Sequence, residues 1–413
     1  MLQKASRRNL KAPLPAWGQV VTITLSGRGQ VVTITLSRCA DCSSLDTCLH
    51  TGHNGAMDAL AGLPLAYSVR NIRVEPNLVL APMEGVTDLT FRRLIRKIGG
   101  AGLTVTEFIA SEGLRRGAEK MEEMARIDPD EHPVAIQIYG RDPTSMAEAA
   151  KIVQDLGADI CDLNFGCPSK KVCAHSGGSA LLKDPVLAQQ IVRAVRAAIT
   201  IPLTVKMRSG FDSTQRNCPD IAWMCQEEGA EAITIHWRTR ADLYSGTRAV
   251  DKIAETKQRI KIPVIGNGDI VDFASAVAMF RDTGVDGVMI GRGAIKNPWV
   301  FKQVRAQMLG LPCPAVDAEE KRHVLVDYYE SCRAWFRSDR GALGRMKKIS
   351  NYFTHGLPYA SELRTTILRS QSVDAAIEAV NMYFDNLAEW TARGGTNRLD
   401  GSVAEEGDTA PFA

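Results

Sequence analysis

From Asn77 onward the chain alternates short apolar runs with segments of helical periodicity, and that alternation limits the fold more than any other feature. The runs start near Leu78, Leu103, Val134, Ile160, Leu203, Ile233, Val264 and Val285. The segments between them have legible ends. Thr87 and Asp88 can cap a helix that stops at Gly99-Gly100, and Pro143, Thr144 and Ser145 open one that ends at Gly157. Asp184 before Pro185 is an N-cap and N1 pair, and Asp272 caps the helix after the seventh run. Eight strands alternating with helices over about 230 residues predict a (β/α)8 TIM barrel, here over 71–310. A doubly wound dinucleotide-binding sheet predicts a Gly-x-Gly-x-x-Gly turn after the first strand. This chain has Ala81-Pro82-Met83-Glu84-Gly85 there.

Past Leu311 the strand signal ends, punctuated by Pro312 and Pro314. Lys321 to Trp335, Leu343 to Phe353 and Val373 to Trp390 read as amphipathic helices, so a smaller all-helical domain is expected over 315–393, with a polar, disordered tail over 394–413. Residues 1–70 look different and are expected to form a poorly structured extension, or a translated leader if synthesis starts near Met57. GQVVTITLS occurs twice there, from Gly18 and from Gly29, alternating in the manner of a hairpin through Gly27-Arg28. Cys39, Cys42, Cys48, His50 and His53 follow, but one close cysteine pair without a second is a poor zinc site, and no metal is expected. The net charge of +3 does not announce a nucleic-acid partner by itself. The ten cysteines are irregularly spaced, which suits a reducing compartment. With no run long enough to span a membrane and no secretory signal pattern, a cytoplasmic protein is expected.

The chemistry collects where a barrel would put it, at the C-terminal ends of the strands. In Ile160–Val172, ICDLNFGCPSKKV, a buried strand ends at Asn164 and a loop shaped by Gly166 and Pro168 presents Cys167. An arbitrary cysteine is more often a small apolar filler; this one sits on a strand-end loop. The other strand ends carry Pro82-Met83-Glu84, Gln137, Lys206 with Arg208, His236 with Arg238 and Arg240, Asn267-Gly268-Asp269, and Gly291-Arg292. Glycine-bearing loops after the last two strands let backbone N–H groups approach a phosphate, and Arg292 adds charge. Gln137 and Asn164 can hydrogen-bond the amides of a ring, and Lys206 can set positive charge against a reduced one. Flavin mononucleotide combines these features.

LAPMEGVTD, QIYG, DLNFGCPSKKV, TVKMRSG, IHWRTR, GNGDI and IGRG, in that order, resemble the tRNA-dihydrouridine synthases from about Asn77 to Gly310, and the helical domain falls where that family binds RNA. The resemblance implies FMN held by Pro82, Met83, Glu84, Gln137, Lys206, Asn267, Gly268, Asp269, Gly291 and Arg292, with His236 beside the flavin and phosphate. It implies reduction of the C5–C6 bond of particular tRNA uridines, NADPH or NADH reducing the flavin first and Cys167 protonating C5. The flipped-out base requires a basic approach surface, expected from Lys170, Lys171, Arg238 and Arg240, and from Arg337, Arg345 and Lys348 in the helical domain. Trp237 departs from the family's usual glycine and is expected to add bulk near the substrate entrance. No protein partner is implied, so a monomer is expected. The alternative is another FMN barrel, like dihydroorotate dehydrogenase or an ene-reductase, acting on a small molecule.

Overall fold

The computed structural model describes residues 63–169, 172, 177–243, 245–354, 357–358 and 360–392, together with two strands, β1 (Val21–Gly27) and β2 (Gln30–Leu36). The duplicated segments form these strands, which pair antiparallel with Val21 opposite Leu36 and Gly27 opposite Gln30. The cysteine and histidine group after them, the tail over 394–413, Lys170, Lys171 and Cys173 lie outside the described residues.

The eight apolar runs are the eight staves of a closed parallel barrel. They are β5 (Leu78–Leu80), β6 (Leu103–Val105), β8 (Val134–Tyr139), β9 (Ile160–Phe165), β10 (Leu203–Arg208), β11 (Ala232–His236), β12 (Val264–Asn267) and β13 (Gly287–Ile290). Each pairs with the next, and β13 returns to β5, so the eight staves close on themselves. Burial on both faces explains why the runs are largely apolar rather than strictly alternating, β9, β12 and β13 being buried at every position. The last strand starts at Gly287, two residues after the apolar run does.

Short-range signals set the helix ends. Asp88 accepts the Phe91 N–H at the start of α1 (Leu89–Ile98). After α2 (Ser111–Arg115) and α3 (Glu119–Ala125), Asp142 caps α4 (Pro143–Asp155) with Pro143 at N1, and Asp184 with Pro185 repeats the device at α5 (Pro185–Ala198). The helices α6 (Cys218–Glu227) and α7 (Asp251–Arg259) follow. Asp272 and Ser275 form a capping box at α8 (Phe273–Thr283), which Gly284 ends in the left-handed region.

Two strand features were not anticipated. One is β7 (Ile109–Ala110), a short strand added beside β8. The other is a hairpin of β3 (Tyr67–Val69) and β4 (Ile72–Val74), part of which falls within residues 1–70, expected to be poorly structured. Its Tyr67, Val69 and Val74 share a buried cluster with Val79, Leu103, Val105, Ile160, Ile265 and Met289. A Cβ on Gly287 would lie 2.7 Å from the Tyr67 ring, so the last stave needs glycine at the point where the ring enters. Three-residue strands are too short to show a period, which is why composition hid them.

Beyond α9 (Arg292–Lys296) and α10 (Val300–Met308) come four helices where three were expected: α11 (Ala318–Trp335), α12 (Asp339–Phe353), α13 (Ala360–Arg369) and α14 (Val373–Ala392). Their buried side chains, among them Tyr328, Tyr329, Met346, Ile349 and Ile367, belong to the same continuous apolar cluster as the outer face of the barrel.

Candidate active site at the barrel mouth

The loop that carries Cys167 is tied from both sides. The Asn164 side-chain oxygen accepts the N–H of Gly166 at 2.9 Å and of Cys167 at 2.8 Å. On the far side, the Cys167 carbonyl accepts the Ser179 N–H at 3.1 Å and its hydroxyl at 2.9 Å. Gly178 makes that approach with φ +57°, and a Cβ there would stand 2.9 Å from the Cys167 carbonyl oxygen. Arg208 donates to the Gly166 carbonyl at 3.0 Å and to the Thr239 carbonyl at 2.7 Å. Cys167 is thus fixed with 7% of its surface exposed.

Below the loop, neighbouring staves set polar side chains in register. Gln137 stands beside Asp162, Thr204 beside Asp162, and Lys206 beside Asn164. The Asn164 amide donates to the Gln137 side-chain oxygen at 2.7 Å, and the Gln137 amide donates to Asp162 at 2.5 Å. Thr204 donates to the other oxygen of Asp162 at 2.5 Å. Burial pushes Asp162 up, against the pull of Thr204, Gln137 and Lys206. Burial, aided by Arg208, brings Lys206 down from 10.5 to about 8.

The other half of the mouth is strongly positive. His236 is held well below its ordinary value, first by burial and then by Lys206, Arg208, Arg238 and Arg292. Its Nδ1 accepts the Arg238 N–H at 3.1 Å, so the neutral ring carries its proton on Nε2. Arg238 grips Asp269 with two bonds, of 2.9 and 2.7 Å, and Arg292 adds a third at 2.9 Å. Asp269 itself sits at φ +52° beside Gly268 at φ +117°. Asn267 donates to the Met289 carbonyl at 2.7 Å, lashing β12 to β13. Gly291 comes close to the first loop, since a Cβ on it would lie 3.7 Å from the Met83 sulfur.

That first loop, after β5, is a tight turn in which the N–H groups of Val86 and Thr87 both bond the Met83 carbonyl at 3.0 Å. Pro82 and Met83 are half-buried and Glu84 is exposed. The Gly85 N–H donates to Glu107, a carboxyl pushed up by burial and by Asp88. The Gly85 carbonyl accepts from Arg345 and, at 2.7 Å, from Lys348, both on α12. Arg345 also pairs with Asp88 at 2.6 Å.

The structure therefore gathers Gln137, Asn164, Cys167, Lys206, His236, Asn267, Gly268, Asp269, Gly291 and Arg292 around one opening, but it redirects several basic residues. Arg345 and Lys348, expected to face RNA, are turned onto the barrel. They lie three residues apart on the face of α12 that also buries Ala342, Met346 and Ile349, and a count of charges along the helix cannot show which face turns inward. Arg238, expected for the same surface, is a buried strut on Asp269 and the Ser245 carbonyl. Trp237 does not crowd an entrance. It is buried beneath the Arg238 guanidinium, 4.0 Å away, and against Gly268. Arg240 is half-buried over the Phe211 ring, and Arg337 is exposed and paired with Glu119 at 2.5 Å. Asp162, Thr204, Glu107, Asp88 and Ser179 were missed. A carboxylate inside the apolar run Ile160–Phe165 was the available signal for Asp162.

The model of the family described as dihydrouridine synthase matches residues 79–388. A probable tRNA-dihydrouridine synthase of Rickettsia prowazekii is 40% identical over 301 residues, 72% of this chain and 91% of the relative. The tRNA-dihydrouridine synthase B of Pseudomonas aeruginosa is 38% identical over 311 residues, 75% of this chain and 93% of the relative.

Proposed function

The chain belongs to the dihydrouridine synthase family, and we propose that its mouth binds FMN, draws electrons from NADPH and uses Cys167 as the acid that completes reduction of a tRNA uridine. The enzyme is an oxidoreductase that saturates the C5–C6 bond of uridines in tRNA, with a flavin as its cofactor. The observation that carries the finer reading is the field at the mouth. Burial and the charges of Lys206, Arg208, Arg238 and Arg292 together hold His236 neutral, and this favours a bound group that brings negative charge. A flavin mononucleotide brings it twice, in its phosphate and in its reduced ring.

The residues present fit that group. Arg292, with the backbone at Gly291 and the Asn267–Asp269 turn, would hold the phosphate. Gln137 would meet the amide edge of the ring. Lys206, at about 8, keeps most of its charge at neutral pH and gains more beside an anion. His236 offers an Nε2–H donor. When bound, the flavin supplies the hydride for C6 of the uridine. The chain's own contribution is a proton held at the Cys167 sulfur, on a loop that Asn164, Ser179 and Arg208 keep from moving. A thiol is ordinarily protonated at neutral pH yet acidic enough to give that proton up. The RNA would approach over Arg240, Arg337, Lys170 and Lys171, with the enzyme a monomer in the cytoplasm. Among the described residues no helix is long and apolar enough to cross a membrane.

The test is direct. The purified protein should release FMN on denaturation and, given NADPH and unmodified tRNA, form dihydrouridine detectable by mass spectrometry. A colourless protein that cannot be reconstituted with FMN would refute the cofactor. Reduction of small enones or dihydroorotate in preference to tRNA would favour the small-molecule barrel.

A further inference from the structure

A chain of side-chain hydrogen bonds runs from the barrel interior to the cysteine loop, and both of its ends have fixed polarity. At the upper end are the backbone N–H groups of Gly166 and Cys167, which can only donate, so the Asn164 oxygen must face them. The Asn164 nitrogen must then face Gln137, which presents its oxygen. The Gln137 nitrogen in turn faces Asp162, whose ionised carboxylate can only accept. Protonation of the Asp162 oxygen that meets Thr204 leaves the oxygen facing Gln137 an acceptor. The two amides have no second arrangement that satisfies both ends.

We propose that Asp162 is a positioning residue of the reaction: through Gln137 and Asn164 it fixes which amide atoms face the barrel mouth and anchors the loop that carries Cys167. The proposal rests on the reading of the mouth given above and deepens it. Asp162 touches neither the thiol nor the opening and acts by hydrogen-bond direction. The fold places it where a carboxylate is costly, since Asp162 is 5% exposed among apolar staves. Burial pushes the group up even with two donors on it. Packing alone would favour an apolar residue there.

The direction of the chain supplies a test that a plain packing role does not pass. Asn164→Asp sets a second acceptor against Gln137, whose one amide nitrogen cannot serve both neighbours in place. Adding Asp162→Asn lets Gln137 turn over. The new carboxylate, at position 164, then accepts from the loop and from Gln137. The new amide, at position 162, donates to the Gln137 oxygen while accepting from Thr204. The chain is whole again, running the other way.

Two readouts are taken on the full-length protein: alkylation of Cys167 by iodoacetamide in the flavin-free form, resolved by peptide mass spectrometry, and FMN affinity by fluorescence. Asn164→Asp and Asp162→Ala should each speed alkylation about tenfold, in line with a buried polar group left unpaired. The double variant should return alkylation to within about threefold of the parent while FMN affinity stays weakened, because the atoms facing the ring are exchanged. A double variant no slower than Asn164→Asp, or an Asp162→Ala protein that behaves as the parent, overturns the proposal. If Asp162→Ala does not fold, the comparison of Asn164→Asp with the double variant decides. A parent protein that binds no FMN would refute the cofactor reading and leave the alkylation result to judge Asp162 by itself.

Discussion

Arg345 separates two accounts of the basic helix α12, and the structure gives the size of the effect. Its guanidinium pairs with Asp88 at 2.6 Å, with side chains 13% and 9% exposed, and also holds the Gly85 carbonyl. Asp88 cannot be left alone without cost. Its other oxygen already accepts from Thr90 at 2.7 Å and Phe91 at 3.0 Å, and those donors keep the carboxylate in place. Arg345→Ala therefore strands a buried charge, a loss of about 3–5 kcal/mol. At roughly 2 °C per kcal/mol for a large domain, Tm should fall by about 6–10 °C. Because Gly85 closes the loop of Pro82, Met83 and Glu84, the variant should also retain less flavin. Arg337→Ala is the control. That side chain is 74% exposed, and its ion pair with Glu119 should contribute nothing measurable to Tm. It should weaken tRNA binding and flatten the salt dependence, as a lost phosphate contact does. Differential scanning fluorimetry, flavin absorbance and tRNA titration at several salt concentrations measure all three quantities. If Arg345→Ala keeps the parental Tm and flavin while losing tRNA affinity, Arg345 faces RNA and the argument from its burial is wrong.

Three further outcomes are expected. Cys167→Ala should keep its flavin and still be reduced by NADPH, yet turn tRNA over about 10²- to 10⁴-fold more slowly in single-turnover assays; Cys161→Ala, at a thiol buried in β9 and pushed up by burial, should keep the parental rate of proton delivery. Lys206 binds its proton less tightly folded (about 8) than unfolded (10.5), so its charge costs stability below pH 8 and the cost is relieved between about 8 and 10.5. The Tm of flavin-free protein, measured against Lys206→Met, should accordingly rise across that window, and a flat difference would remove Lys206 as a desolvated cation. Gly178→Ala, at φ +57° with its new Cβ against the Cys167 carbonyl, should cost roughly 1–2 kcal/mol of stability and slow the tRNA step more than flavin reduction; parental kinetics would show that the loop has slack.

The barrel was legible because its signals are local. A stave covered on both faces needs a mostly apolar run, and Asp142-Pro143, Asp184-Pro185 and Asp272 mark helix starts within a few residues. The residues around the mouth were legible because the closed sheet forces strand ends onto one rim. Direction was not legible. Arg345, Lys348 and Arg238 carry the same charge as a solvated residue would, and only the packing of α12 and the position of Asp269 turn them inward. Asp162 was passed over because its one signal, a carboxylate within an apolar strand, does not name its partners, Gln137 and Thr204, which come from separate staves. The strands β3, β4 and β7 are two or three residues long and leave no period to read.

The hairpin at Tyr67–Val74 bears on where this enzyme can be cut. The family match begins at residue 79, and a fragment trimmed to it would discard Tyr67, Val69 and Val74. Their partners in the barrel floor, Val79, Leu103, Val105, Ile160 and Met289 among them, would then face water. The opening would also uncover the side of Gly287 that now receives the Tyr67 ring, and Asn77, which donates to the Pro64 and Asp286 carbonyls at 2.7 Å from just before the first stave, would be gone. The smallest portion able to keep its floor closed starts near Leu63, about fifteen residues ahead of the start of the family match.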